Sequence, residues 1–282
     1  MSSKKSSKKN NQKSSRKSQK TSFRGPLLEE KRNFITSNNK YIPSYDIING
    51  PAFGSVVMNL EKDQIVVTQY GCMSYMDGHI ATKTESRGGI LKGLKRMFLT
   101  SSSMFMTHYK GTQQKKNKIT FAGALPGDIL PLRIRPNEKV VISPMSLICF
   151  TDNLIIESKR RLRGLLTSEG IYQTEFINKS SSDGMVWLSA YGGYNKIILK
   201  EGESIKLDNG LFLCSQTKVK YSISMLGGIK TSFLSGEGLL MHFQGPCELY
   251  MQGRSIHSLL GFVGRHITIS RKGGPSMDFA LD

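Results

Sequence analysis

The chain has 282 residues, 38% of them apolar, four cysteines and a net charge of +19. That length buries a sizeable core without disulfide staples, and no run of 18 apolar residues or charged leader with an apolar stretch behind it is present, so neither a transmembrane helix nor a secretory signal is expected. The basic balance favours acidic partners, nucleic acid or anionic membrane, without naming one.

Residues 1–24 hold seven lysines, two arginines and no acid, with almost nothing apolar before Phe23. Such a segment buries too little surface to offset the entropy of ordering and reads as a disordered basic tail. It lacks the apolar residues at helical spacing that a mitochondrial presequence needs. Residues 25–44, with Pro26, Asn38, Asn39 and Pro43, read as a linker. The folded body is expected over residues 45–254. From Tyr45 onward, short alternating runs of Val, Ile, Thr and aromatic residues are bounded by Gly, Asn and Asp, the pattern of an all-β sandwich.

The runs repeat. Gly71-Cys-Met-Ser-Tyr-Met-Asp-Gly78 is followed by Gly88-Gly89, and Gly210-Leu-Phe-Leu-Cys214 by Gly227-Gly228, with 17 positions from Gly71 to Gly88 and 17 from Gly210 to Gly227. Gly127 to Glu138 and Gly192 to Glu203 each span 11 positions, and each pair leads to an apolar stretch expected to be a hairpin, residues 140–150 and 205–214. Self-similarity at this period predicts one supersecondary unit copied three times, at about 45–117, 118–182 and 183–253, the middle copy most degenerate. Residues 255–282 are expected to form a docking segment, with one short helix or an added strand near 255–263, a strand over 265–270 and a peripheral tail.

The ordered set Gly71-x-Met-x-Tyr-Met-Asp-Gly78, Gly88-Gly89-x-x-x-Gly93-Leu-Lys-Arg96, Leu207-Asp-Asn-Gly210, Gly236-Glu-Gly238-Leu and Phe243-x-Gly-Pro246 resembles the altered-inheritance-of-mitochondria protein twenty-four family over about residues 45–254. The resemblance implies a repeated β-sandwich similar to the tryptophan RNA-binding attenuator protein, no established catalysis, and a mitochondrial location for some members. The long basic tail, Cys72 in place of a small residue, and Gln252-Gly253-Arg254, where a Thr more often stands before the Arg, depart from the family pattern.

For chemistry the sequence offers little. His79, His108, His242, His257 and His266 form no metal-binding spacing, although His108 and His242 hold matching places in copies one and three. There is no P-loop, nucleophile elbow or paired-cysteine site, so the protein is expected to be a non-enzyme without cofactor or metal. Cys72, Cys149, Cys214 and Cys247 lie in apolar strands and read as reduced core residues of an intracellular, soluble or peripheral protein. Asp77-Gly78 and Asp208-Asn-Gly210 read as hairpin turns. The glycines Gly71, Gly88, Gly89, Gly93, Gly210, Gly227, Gly228, Gly236 and Gly238 read as bends, with an anion-cradling nest as the alternative at the pairs. Lys92, Lys95 and Arg96 in copy one and Lys159, Arg160, Arg161 and Arg163 in copy two fall at equivalent places and form a candidate anion-contact rim. The expected function is a non-catalytic, self-associating scaffold, a homo-oligomer whose basic tail meets nucleic acid, an anionic membrane or another protein; the alternatives are a peripheral membrane protein of mitochondrial type, a non-specific nucleic-acid-binding protein and an enzyme of unknown reaction.

Overall fold

A computed structural model describes residues 35–36, 38–69, 71–86, 105–114, 117–161, 171–216, 219–225, 239–266, 268–269 and 279–280. Six strands recur three times. The first set is β2 (Ser55–Asn59), β3 (Ile65–Gln69), β4 (Met73–Met76), β5 (Ile80–Ser86), β6 (Phe105–Gly111) and β7 (Lys118–Ala122), preceded by β1 (Ser44–Ile48). The second is β8 (Gly127–Ile134), β9 (Lys139–Ile142), β10 (Leu147–Thr151), β11 (Leu154–Arg161), β12 (Ile171–Asn178) and β13 (Gly184–Tyr191). The third is β14 (Tyr194–Leu199), β15 (Ser204–Asp208), β16 (Phe212–Gln216), β17 (Tyr221–Met225), β18 (Leu239–Gln244) and β19 (Cys247–Gln252). Helix α1 (Ile256–His266) and a small pair, β20 (Thr268–Ile269) with β21 (Phe279–Ala280), complete the described elements.

The sheets cross the boundaries between copies. One six-stranded sheet runs β5-β6-β3-β10-β13-β8 and another β11-β12-β9-β16-β19-β14. The third instance of the pattern is divided into β17-β18-β15 and β4-β7-β2, the latter extended by β1. Neighbours within these sheets are antiparallel, and the same irregularity recurs in each copy: the register shifts between Met73 and Tyr75, between Leu147 and Cys149, and between Phe212 and Cys214.

A shared turn fixes the copies to one geometry. Gln64 Oε1 accepts from the Glu61 N–H at 3.0 Å, Glu138 Oε2 from the Arg135 N–H at 2.9 Å and Glu203 Oε2 from the Lys200 N–H at 2.7 Å. The residue before each acceptor is left-handed: Asp63 at φ 68°, Asn137 at 64° and Gly202 at 82°. Asp, Asn and Gly are the residues that tolerate this region. The carbonyl of the fourth residue is then held by the N–H of Gly111, Asn178 or Gly245 at 2.9–3.0 Å.

Two expectations are corrected. Residues 140–150 and 205–214 are not hairpins: β9 pairs with β12 and β16, while β10 pairs with β3 and β13, and β15 and β16 likewise lie in different sheets. Short 3-10 turns at Pro144–Ser146 and Asn209–Leu211 carry the chain across, the second started by Asp208, whose Oδ1 accepts from the Gly210 N–H at 2.8 Å. Asp77-Gly78 also links strands of different sheets, β4 and β5. Within each copy the consecutive strands that do pair, β5 with β6, β11 with β12 and β17 with β18, are those separated by long connections.

Alternation along the central strands feeds neighbouring cores. Trp187 and Met185 of β13 pack with Tyr45, Met58 and Phe121, whereas Val186 and Leu188 pack with Phe150, Phe176 and Leu213. A third core holds Leu207, Phe212, Met241, Phe243 and Leu249, with Val141 of β9 against it, while Val140 and Ile142 belong to the second. Packing also begins earlier than Tyr45. Ile42 is buried, and Ile35 exchanges backbone hydrogen bonds with Tyr45.

The predicted C-terminal helix is present and longer than expected, so Arg265 and His266 are helical rather than extended. Its half-buried residues Ile256, Leu259 and Val263 follow helical spacing, which leaves Leu260 and Phe262 exposed.

Candidate functional site

Of the seven predicted anion contacts, Lys159, Arg160 and Arg161 fall at the far end of β11, the outermost strand of its sheet, paired in register with Gln173, Tyr172 and Ile171. Lys92, Lys95, Arg96 and Arg163 lie outside the described residues, as do Gly88, Gly89, Gly93, Gly227, Gly228, Gly236 and Gly238. In sequence, however, the cationic segments share one place. Lys92 to Arg96 fall between β5 and β6, Arg163 between β11 and β12, and Lys230 between β17 and β18, the same connection in each copy.

The described motif residues have structural employment. Asp77 Oδ2 accepts from the Lys118 N–H at 2.9 Å and its own N–H donates to the Lys118 carbonyl at 2.8 Å, which fastens β4 to β7. Thr151 holds the same place in copy two, its Oγ1 accepting from the Met185 N–H at 2.9 Å. Gly71 is left-handed at φ 84° in open space, and Gly78 also has nothing close to it. Gly210 packs directly beneath the Ser255 side chain, where any Cβ would collide. Gln252 ties the end of the third copy together: its Oε1 accepts from the Tyr191 N–H at 3.1 Å and its Nε2 donates to the Gly210 carbonyl at 2.8 Å.

The histidine correspondence is observed. His108 faces Val67 and Lys83, and His242 faces Lys206 and Ser222, at the centre of equivalent three-stranded units. Sequence reading missed the third member, Glu175, a buried carboxylate facing Val141 with Lys139 Nζ at 3.8 Å. These groups stand in separate copies, and among the described residues no three His, Cys, Asp or Glu side chains converge on a metal position. The four cysteines are free thiols; burial pushes Cys149 and Cys214 well above the ordinary range and Cys72 and Cys247 upward.

The most distinctive surface lies at the two strands where the sheet pattern is divided. On β4, Met73, Tyr75 and Met76 are 38%, 40% and 37% exposed, whereas their counterparts Leu147, Cys149 and Phe150 on β10 and Phe212, Cys214 and Ser215 on β16 are at most 6% exposed. The difference has a plain cause: β3 covers the edge of β10 and β9 covers that of β16, but β4 belongs to the first copy and has β7 as its partner on one side. All three strands lack a charged residue, and it is the strand pairing that sets β4 apart. No described helix is long and apolar enough to cross a membrane.

A sequence profile described as mitochondrial biogenesis AIM24 matches residues 45–254. The chain belongs to this family. An uncharacterized protein of Streptococcus pyogenes serotype M6 is 24% identical over 226 residues, which cover 77% of this chain and 88% of that protein. A Streptococcus pyogenes protein of known crystal structure has the same fold at TM-score 0.65 and 23% identity, covering 78% of this chain and 98% of that one. The AIM24 match runs from within β1 to just past β19 and stops short of α1. The fold expected from the spacing of the sequence, three all-β copies with a short C-terminal helix, is the fold observed, and it agrees with the repeated β fold that the resemblance implies. Its two described departures are accommodated: Cys72 directs its thiol toward the Leu147 carbonyl at 3.8 Å, and Gln252 makes the tie described above.

Proposed function

We propose that this AIM24-family chain is a non-catalytic, self-associating scaffold whose basic segments contact anionic partners. The observation that carries the reading is the passage of the sheets from copy to copy through one recurring strand pairing, β3 with β10 and β9 with β16. A structure that joins its own copies this way uses strand edges as its connectors, and the first and last strands of this kind, β4 and β15, each end a sheet. The repetition of cationic segments in equivalent connections, together with nine positive charges in residues 1–24, supports an anionic surface as the thing held.

Sedimentation velocity across a concentration series tests the self-association clause; a single monomeric species throughout removes it. Binding to duplex DNA, RNA and anionic vesicles, at low and physiological salt, with and without residues 1–30, tests the other. The expected result is weak-specificity binding that falls steeply with salt. A second reading, a peripheral membrane protein, is favoured by the exposed Leu260 and Phe262 of α1. It requires vesicle binding that survives removal of the tail and is lost in Leu260→Ser/Phe262→Ser, because cations alone contribute only about 1 kcal/mol each near an anionic surface.

A further inference from the structure

We infer that β15 of one copy of the chain pairs antiparallel with β4 of a second copy, joining molecules head to tail by the seam that already joins the repeats inside each molecule. This deepens the self-association clause of the reading above and rests on it. The inside seam occurs twice. β3 meets β10 with Thr68 opposite Cys149, Val67 opposite Phe150 and Val66 opposite Thr151. β9 meets β16 with Ile142 opposite Cys214, Val141 opposite Ser215 and Val140 opposite Gln216.

The third seam follows residue by residue. On the first side, Val67, Val141 and Lys206 are equivalent because they face His108, Glu175 and His242 in the same three-stranded unit. On the other, Tyr75, Cys149 and Cys214 are equivalent because each directly follows the shared register shift and faces Thr120, Trp187 or Tyr250. Transferring the register sets Leu207 opposite Tyr75, Lys206 opposite Met76 and Ile205 opposite Asp77. Both strands are paired along one side only in the described structure, since β15 ends the sheet β17-β18-β15 and β4 ends the sheet β1-β2-β7-β4.

Three features point to a second copy as the occupant. The apolar exposure of Met73, Tyr75 and Met76 is confined to the strand whose counterparts are buried by this seam. Met73-Ser-Tyr-Met76 carries no charge and no proline, the residues by which an edge strand is kept from pairing. Finally, Lys206 at the middle of β15 selects the partner. In a β15–β15 pair centred on that residue, the two ammonium groups would stand directly opposite, which is destabilising, whereas β4 offers Met76. The contact uses different surfaces on the two molecules, so it grows beyond a dimer into a ring or an open arc.

The test uses the full-length chain. Met76→Lys places like charge against Lys206 and is expected to move the association midpoint in sedimentation about tenfold or more to higher concentration, with Met76→Lys/Lys206→Glu restoring it. Circular dichroism of each variant confirms the fold. Independently, Met76→Cys chains mixed with Lys206→Cys chains under mild oxidation are expected to yield a dimer, with the 76–206 disulfide identified by peptide mass spectrometry. Three results overturn the inference, and they are distinguishable. Association unaffected by Met76→Lys, with no 76–206 link, places self-association elsewhere and leaves the scaffold reading standing. An exclusively intramolecular link in the Met76→Cys/Lys206→Cys chain shows that one molecule closes on itself. A wild-type monomer at every concentration removes both the seam and the self-association clause.

Discussion

Phe243 shows how much a single side chain holds in the third core. It is fully buried, with its ring 5.8 Å from Phe212 in a near-parallel stack and 5.5 Å from Tyr221. Phe243→Ala removes that packing and leaves a cavity, so an unfolding free energy lower by about 3–5 kcal/mol is expected in urea titration. The buried thiols give a pH signature. Cys149 and Cys214 are held above the ordinary thiol range by burial, so the folded chain keeps protons that the unfolded chain releases above about pH 8.5. Their contribution is therefore intact at neutral pH and is lost as the pH climbs past that value. Alkylation followed by peptide mapping is expected to mark Cys149 and Cys214 at pH 8 only once denaturant is added; rapid labelling of either in the native protein contradicts their burial. At this scale the sequence was informative where residues recur. His108 and His242 were paired by spacing, but Glu175 was not, because it shares their position and not their chemistry.

The element with the clearest sequence logic is the turn Glu61 to Gln64 and its two counterparts. Gln64, Glu138 and Glu203 each reach back to the first N–H of the turn, and Asp63, Asn137 and Gly202 each take positive φ. Asn137→Val forces a β-branched residue into that region and is expected to destabilise the fold by about 1–3 kcal/mol, while Asn137→Gly stays close to wild type; thermal melts of the two variants decide it. The equal spacing of Gly127 and Gly192 from the acidic acceptors was visible beforehand, but Gln64 in the same role was not. The expected hairpins fail for a different reason. A Gly- and Asp-rich turn states that the chain changes direction, not whether the next strand pairs with the last or crosses to the facing sheet. Asp208, for example, caps a 3-10 turn that hands the chain from β15 to β16 in another sheet. That choice is made by the copies packing on one another, so it becomes visible only with the register in hand.

At the scale of the whole molecule, copy number and strand content were legible, whereas the continuity of the sheets between copies was not, because pairing across 80 residues, as between Thr68 and the Ile148 carbonyl at 2.7 Å, leaves no local trace. That continuity carries a thermodynamic consequence. Repeat arrays whose units touch only their neighbours are able to unfold piecewise, and each interface decides how far the copies act together. Here single strands serve two cores: β13 sends Trp187 to the first and Val186 and Leu188 to the second, while β9 sends Val140 and Ile142 to the second and Val141 to the third. Loss of the third core therefore strips β9 and β16 of cover on one face, and loss of the second exposes β13. Cooperative unfolding is expected, and the chain contains its own reporter, a single tryptophan seated in the first core. Urea unfolding followed by Trp187 fluorescence and by far-ultraviolet dichroism should give coincident midpoints. Phe243→Ala, far along the chain in the third core, should lower both midpoints equally. A fluorescence midpoint that stays at the wild-type value while the dichroism midpoint falls shows instead that the third core unfolds by itself and that the shared strands do not couple the copies.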